Sequence, residues 1–288
     1  MSRGATSPRT SEMKHRRYCL FFYGDILGYK ELLRHKTVTE IEGILRESIS
    51  DVRQIISIRQ GKIDQSKGQL ARGDKQLAKF FRWSGEGVFS HYFAFDALLT
   101  FLRGLTLDGL SMKMPDFMLF CSSIYLTLLI KHCICLRGVI GLTSNYVIDS
   151  ELVMFKEMAS AHDLEKSQNW SGMILDISDE FLQYCDSTSA SEDVFIDYPV
   201  PTKSGVRDYP VLNPLNKDTI TFLRENSLSL SSTIARLEQE SREHEKLDIK
   251  EKLENTVKFL ADCRERYANA LKWNKVFGED VQPFDRVP

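Results

Sequence analysis

Residues 17–28 read RYCLFFYGDILG. After Arg17 the stretch is apolar and aromatic as far as Phe22, and it runs directly into Tyr23-Gly24-Asp25-Ile26-Leu27-Gly28. A short apolar run of this kind, closed by glycines, predicts a buried strand that ends near Asp25. Beyond it the period changes. Thr37 and Glu40 have the spacing of a capping box, and Val38, Ile41, Ile44, Leu45, Ile49, Val52, Ile55 and Ile56 recur at helical spacing. The chain therefore opens as a strand followed by a long amphipathic helix.

Working outward, residues 59–76 are polar, carry Gly61, Gly68 and Gly73, and predict a loop. Lys79–Trp83 and Val88–Leu102 are rich in aromatic and β-prone residues, with Gly85-Glu86-Gly87 as a hairpin turn between them. Asp96 falls inside the second of these strands, between Phe95 and Ala97. Pro115 and Asp116 are expected to open a helix that runs to about His132 and is apolar all round, so most of its sides should be covered. CICLRGVIGL, Cys133–Leu142, predicts a strand containing Arg137-Gly138. Ser150–Glu165 reads as a helix and Met173–Ile177 as a further strand. Strand, helix, strand pair, helix, strand is the order of an α+β, ferredoxin-like sheet. Asp186–Asn213, with Pro199, Pro201 and Pro210, reads as loop. Lys217–Phe277 is charged and helical, and Leu237, Leu253, Val257, Leu260, Tyr267 and Leu271 suggest two amphipathic helices that form a cap or a dimer arm. The expected organisation is a disordered basic tail over 1–17, a core domain over 18–180, and a loop with a C-terminal helical extension over 181–288.

The balance of residues narrows the function classes. In 288 residues, 42 % are apolar and 27 % charged, enough to bury a core without disulfides or a structural metal. The net charge of −2 argues against a general nucleic-acid binder, which needs a basic surface to displace counterions. The six cysteines include no CxxC pair, and Cys133 and Cys135 beside His132 lack a second ligand cluster with zinc-site spacing. Buried free thiols in a reducing, cytoplasmic compartment are expected. The longest apolar stretch, Phe117–Ile130, has 14 residues, whereas a bilayer span needs about 20. A core helix is expected, with no membrane partner, and Met1–Arg17 has no apolar stretch behind its basic residues that would make it a signal peptide.

The chemistry lies in two aspartates set in apolar strands, Asp25 and Asp96. A buried carboxylate without a partner costs several kcal/mol. Each could be satisfied by an arginine or lysine, or by facing outward. Taken together, side by side at the sheet centre, they would repel each other, and a divalent cation between them reverses the sign of that interaction. Hard oxygen ligands imply Mg²⁺ or Mn²⁺. Paired carboxylates with one or two such ions suit phosphoryl and nucleotidyl transfer. No Ser-His or Cys-His arrangement suggests a protein nucleophile.

FYGDILGYKELL, AFDALLTF, CLRGVIGL and FKEMASAHDLEKSQNWSGMILD occur in an order that resembles class III nucleotidyl cyclases, and more closely the Pycsar-type pyrimidine cyclases of bacterial antiphage defence. The likeness spans Tyr18 to about Ile177. It implies that Asp25 and Asp96 are the catalytic, metal-binding aspartates of a two-ion Mn²⁺ or Mg²⁺ site, and that Ile26 offers a backbone carbonyl to the second ion. It also implies that Tyr23 is an aromatic beside the nucleotide and Arg137 a contact to phosphate or base. Arg137 reads equally as a strand-end arginine paired to an acid. Ala161, Leu164 and Glu165 match the family's helix motif, with Glu165 either a base reader or a helix-end ion pair.

The sequence departs from the family's pattern in several places. Phe95 and Ala97 replace the serines around the second aspartate, Trp170-Ser171-Gly172 replaces a Tyr-Pro-Arg segment, and Ala159 and Asp163 stand near positions where many class III adenylyl cyclases use asparagine and arginine. The resemblance implies a homodimer that cyclises UTP, or less favourably CTP, into a messenger for a companion effector that halts phage growth. The eroded motifs suggest the alternative of a catalytically impaired dimeric nucleotide sensor.

Overall fold

A computed structural model describes residues 17–52, 89–94, 97–148, 153–178, 181, 194–225 and 228–276. The first strand, β1 (Tyr18–Ile26), is buried along almost its whole length. Its alternating side chains feed two different cores, as the period of two requires. Leu20, Phe22 and Ile26 join one apolar cluster, while Cys19, Phe21 and Tyr23 join the other. That is why the segment reads as a continuous apolar run rather than an alternation. Gly28, in the left-handed conformation at φ 75°, turns the chain into a short helix α1 (Tyr29–His35). A second helix, α2, covers 38–52. Its start is the expected capping box: Glu40 N–H donates to Thr37 Oγ1 at 3.2 Å, and Thr37 N–H donates to Glu40 Oε2 at 2.7 Å. The strand-to-helix segment is thus two helices broken at residues 36–37.

The next elements are β2 (Phe89–Ala94), β3 (Ala97–Leu105) and the long helix α3 (Leu107–His132). They correct two expectations. Val88–Leu102 is not one strand, because Ala94 pairs with Ala97 and the chain reverses between them. The helix does not open at Pro115. Thr106 caps it nine residues earlier, accepting from Gly109 N–H at 3.1 Å, and Pro115 lies inside. An Ncap threonine whose side chain accepts from the first turn is the stronger start signal. The expected strand at 79–83, the turn at 85–87, the loop at 59–76, the tail at 1–16, and Phe95 and Asp96 themselves lie outside the described residues.

β4 (Leu136–Thr143) follows, then a small hairpin of β5 (Tyr146–Ile148) and β6 (Val153–Phe155), helix α4 (Met158–Ser167) and β7 (Met173–Asp176). The single helix expected over 150–165 is therefore a strand and a helix. Val153 and Phe155 alternate inward on β6 before the helical period begins. A larger correction concerns 186–213. Residues 195–212 are not loop but a hairpin, β8 (Phe195–Thr202) and β9 (Gly205–Leu212). Three helices complete the described residues: α5 (Lys217–Glu225), α6 (Leu230–Glu243) and α7 (Leu247–Val276).

Among the described residues, seven strands form one mixed sheet in the order β2-β3-β1-β4-β7-β9-β8. β1 is antiparallel to both β3 and β4, β2 is antiparallel to β3, and β4 and β7 are parallel. The protein is α+β. On one face lie α2 and α3 over Leu20, Phe22, Leu98, Leu102 and Ile140; on the other, Ile148, Phe155 and Ala161 cover Phe21, Tyr23, Phe101 and Val139. Residues from β8, α6 and α7, including Tyr198, Leu237, Phe259 and Leu260, belong to the first of these cores, so sheet and core both run across residue 180. The window Lys113–His132 is long and apolar enough to cross a membrane by length and composition, and 89 % of it is buried inside the protein. Gly24 and Gly138 are paired across β1 and β4. A Cβ at Gly138 would stand 2.4 Å from Phe22 Cε2, so the glycine of the Arg137-Gly138 pair makes room for that ring.

Candidate functional site

Asp25 sits one residue from the C-terminal end of β1. Its register partner on β4 is Arg137, and its partner on β3 is Ala97. Residues directly opposite on an antiparallel pair share a face, so Asp25 and Arg137 project together toward α4. Arg137 Nη2 donates to Asp25 Oδ2 at 3.0 Å, with side chains 10 % and 19 % exposed. Arg137 Nε forms an ion pair with Glu165 Oε1, whose side chain is only 2 % exposed. Arg137 Nη1 donates to the Gln168 backbone carbonyl at 3.1 Å. One guanidinium therefore spans two carboxylates and a helix-end carbonyl, a fork that lysine could not reproduce.

Glu165 is the most perturbed acid of the group. Burial pushes its carboxyl well above the ordinary carboxylate range, Arg137 opposes this, and the nearby Asp25 charge adds to it. His162 lies one turn earlier on α4. Its Nδ1 is 2.7 Å from Tyr23 Oη and 3.8 Å from Glu165 Oε2, and its ring meets Tyr23 edge to face at 5.6 Å. Tyr23 and Asp25, two apart on β1, thus face His162 and Glu165, three apart on α4.

The support behind this cluster is extensive. Gln168 Nε2 donates to Gly138 O, and Trp170 Nε1 donates to Gln168 Oε1, both at 3.0 Å. Trp170 is fully buried, stacked on Tyr198 at 5.2 Å with Phe259 edge-on at 4.3 Å. Ser171 Oγ donates to Leu136 O at 2.7 Å, while Ser171 N–H donates to Thr256 Oγ1 at 2.8 Å. A Cβ at Gly172 would meet Trp170 Cη2 at 2.6 Å, so the Trp-Ser-Gly segment is a fitted brace between β4 and α7.

The structure thus brings Tyr23, Asp25 and Arg137 together on one face. Ile26 is buried at the end of β1, where the following Leu27 N–H donates to Cys135 O at 2.9 Å. Asp96 lies outside the described residues. Among the described residues, no three His, Cys, Asp or Glu side chains gather closely enough to hold a metal ion. Glu165 is ion-paired with Arg137. His162 and Gln168 are the members that sequence reasoning missed. For His162 a signal existed: with Glu165 three residues on, it lies on the same helix face.

No protein-family model and no curated protein matches this chain.

The site's described side chains are two carboxylates, one guanidinium, the His162 imidazole and the Tyr23 phenol. Asp25 is the more exposed acid and Glu165 the enclosed one.

Proposed function

We propose that this chain is a metal-dependent nucleotidyl cyclase that converts a pyrimidine nucleoside triphosphate, UTP before CTP, into its 3′,5′-cyclic monophosphate and diphosphate. One observation carries the reading. Asp25 at the end of β1 has Ala97 as its partner on β3, and Asp96 immediately precedes Ala97 in the chain. The strand order β2-β3-β1-β4, with β1 antiparallel to both neighbours, agrees with the ferredoxin-like core expected of class III nucleotidyl cyclases. The preference for UTP rests on resemblance alone.

The donors suit two Mg²⁺ or Mn²⁺ ions. They are all oxygens, the carboxylates of Asp25 and Asp96 and the backbone carbonyl of Ile26. Arg137 pairs with both described carboxylates, and Asp25 is the more exposed of the two. Such ions, when bound, lower the pKa of the ribose 3′-hydroxyl and neutralise charge on the departing diphosphate. The residues around them orient and shield. Arg137 fixes one oxygen of Asp25. Tyr23, its hydroxyl held by His162, supplies an aromatic edge beside the nucleotide. In the reaction the 3′-oxygen bonds to the α-phosphorus of the same nucleotide as the bond to diphosphate breaks, and the hydroxyl proton leaves to solvent.

On this reading the protein works as a cytoplasmic homodimer whose cyclic product activates a separate effector. The test is a panel of the four nucleoside triphosphates with Mn²⁺ and chromatographic identification of the product. A cyclic pyrimidine nucleotide is expected from the wild type and none from Asp96→Asn. Failure to cyclise any of the four ends the proposal. The engagement of Asp25 by Arg137, with the altered segment Trp170-Ser171-Gly172, favours a second reading, a nucleotide sensor without turnover. Calorimetry would then show nucleotide binding, and any diphosphate release would rule that reading out.

A further inference from the structure

The end of α3 opposite its Thr106 cap meets α2 in a polar contact set beside an apolar one. Ile41, Leu45, Ile49 and Val52 of α2 pack into the same core as Leu20 and Phe22 of β1. Next to them, Lys131 Nζ donates to Asp51 Oδ2 at 2.6 Å, with the side chains 26 % and 25 % exposed. His132, the last residue of α3, lies at this contact. Its Nε2 is enclosed and has no hydrogen-bond partner, although the residue as a whole is only half-buried. Four charged groups act on the ring: Glu47 and Asp51 from α2, Lys36 just ahead of α2, and Lys131 beside it in the chain. From α6, Arg236 Nη2 donates to Leu129 O at 3.0 Å, and Glu240 pairs with Arg236 at 3.9 Å.

A histidine at the C-terminal end of a helix ordinarily favours the imidazolium, through the last carbonyls and through nearby carboxylates. Here both aids are largely taken. The Leu128 carbonyl accepts from Ile134 N–H at 3.0 Å, the Leu129 carbonyl accepts from Arg236, and Asp51 is held by Lys131. Of the two carboxylates Glu47 is the one left to help, and Lys36 and Lys131 oppose it. An imidazolium carries a donor on each ring nitrogen, and the enclosed Nε2 meets no acceptor. Burial therefore outweighs the two carboxylates and holds the ring below the ordinary histidine value of 6.5.

We infer that the contact between α2 and the end of α3 is an acid-sensitive latch, which opens when His132 takes up a second ring proton. Opening admits water to Nε2, and the water supplies the missing acceptor. The opened form thus binds the proton more readily than the closed one. The closed contact is at full strength above pH 6.5 and weakens as pH falls below it. The segment released is 47–52, the part of α2 that faces Lys131 and His132. The latch is independent of any nucleotide or metal ion.

Native-state hydrogen exchange on the full chain, corrected for the intrinsic pH dependence of exchange, reads the latch directly. Between about pH 7.5 and about pH 5.5, amides 47–52 should lose about threefold or more of their protection relative to amides 256–263 of α7. In His132→Gln, which keeps a polar side chain that does not titrate, that loss should be absent. Equal loss in wild type and His132→Gln would overturn the inference, as would protection that holds steady or rises when the wild type is acidified. A second measurement needs no variant. The His132 ring protons, followed by NMR, should titrate below the midpoint of a free histidine side chain. A midpoint at or above it would mean that the closed contact accommodates the imidazolium, and the latch would not exist.

Discussion

Asp25 and Asp96 stand out in the sequence because acids interrupt apolar strands, but the sequence left open what satisfies them. For Asp25 the answer is Arg137, directly opposite on β4. The contact becomes legible only once the antiparallel register of β1 and β4 is known, since 112 residues separate the two. Glu165 carries a consequence for pH. Its pKa is raised above the ordinary 4.5 by burial, with Arg137 opposing and Asp25 adding to the shift. The native state therefore keeps a proton that the unfolded chain releases. The stabilisation is fully present below pH 4.5 and is lost as pH rises through the raised value. Denaturant unfolding at stepped pH from 4.5 to neutrality should show wild-type stability falling relative to Glu165→Gln. Parallel pH profiles for the two proteins would contradict this assignment.

Elements were legible where one signal dominated. The apolar run of β1, the Thr37–Glu40 box of α2, and the strands β4 and β7 all formed close to where their residues indicated. Competing signals misled elsewhere. Prolines 199, 201 and 210 speak for loop, yet β8 is a strand at the sheet edge, where a missing N–H costs nothing. The Pro201 carbonyl accepts from Asn169 N–H at 2.8 Å on the side facing away from β9, which is also the side its ring nitrogen faces. Pro115 looked like a helix start because proline favours the first turn, and it concealed the cap at Thr106. Thr106→Ala should cost about 1 kcal/mol, as removal of an Ncap side chain generally does. A shift in urea midpoint without a change in slope would show it; an unchanged midpoint would mean that the cap contributes nothing.

At the scale of the molecule, the boundary expected near residue 180 is crossed by the sheet and by the core. β9 pairs with β7 through Ile174 and Val211, and Trp170 packs against Tyr198 of β8 and Phe259 of α7. A fragment of residues 1–180 would expose the fully buried Trp170 and leave Ser171 N–H without its Thr256 partner. Such a fragment is expected to lack cooperative unfolding and amide dispersion by NMR, whereas the full chain shows both. A well-dispersed spectrum from the fragment would refute this. The overall class, α+β, was readable from the order of periods along the chain; the extent of the sheet was not, because its last hairpin depends on partners rather than on its own pattern.

The two rims of the sheet are unlike. At one, Pro199 and Pro201 deny donors to any incoming strand, and residues 167–169 already occupy part of that border. At the other, β2 ends the ladder among the described residues. The β8 border is consequently closed to a further strand at these positions, whatever approaches it.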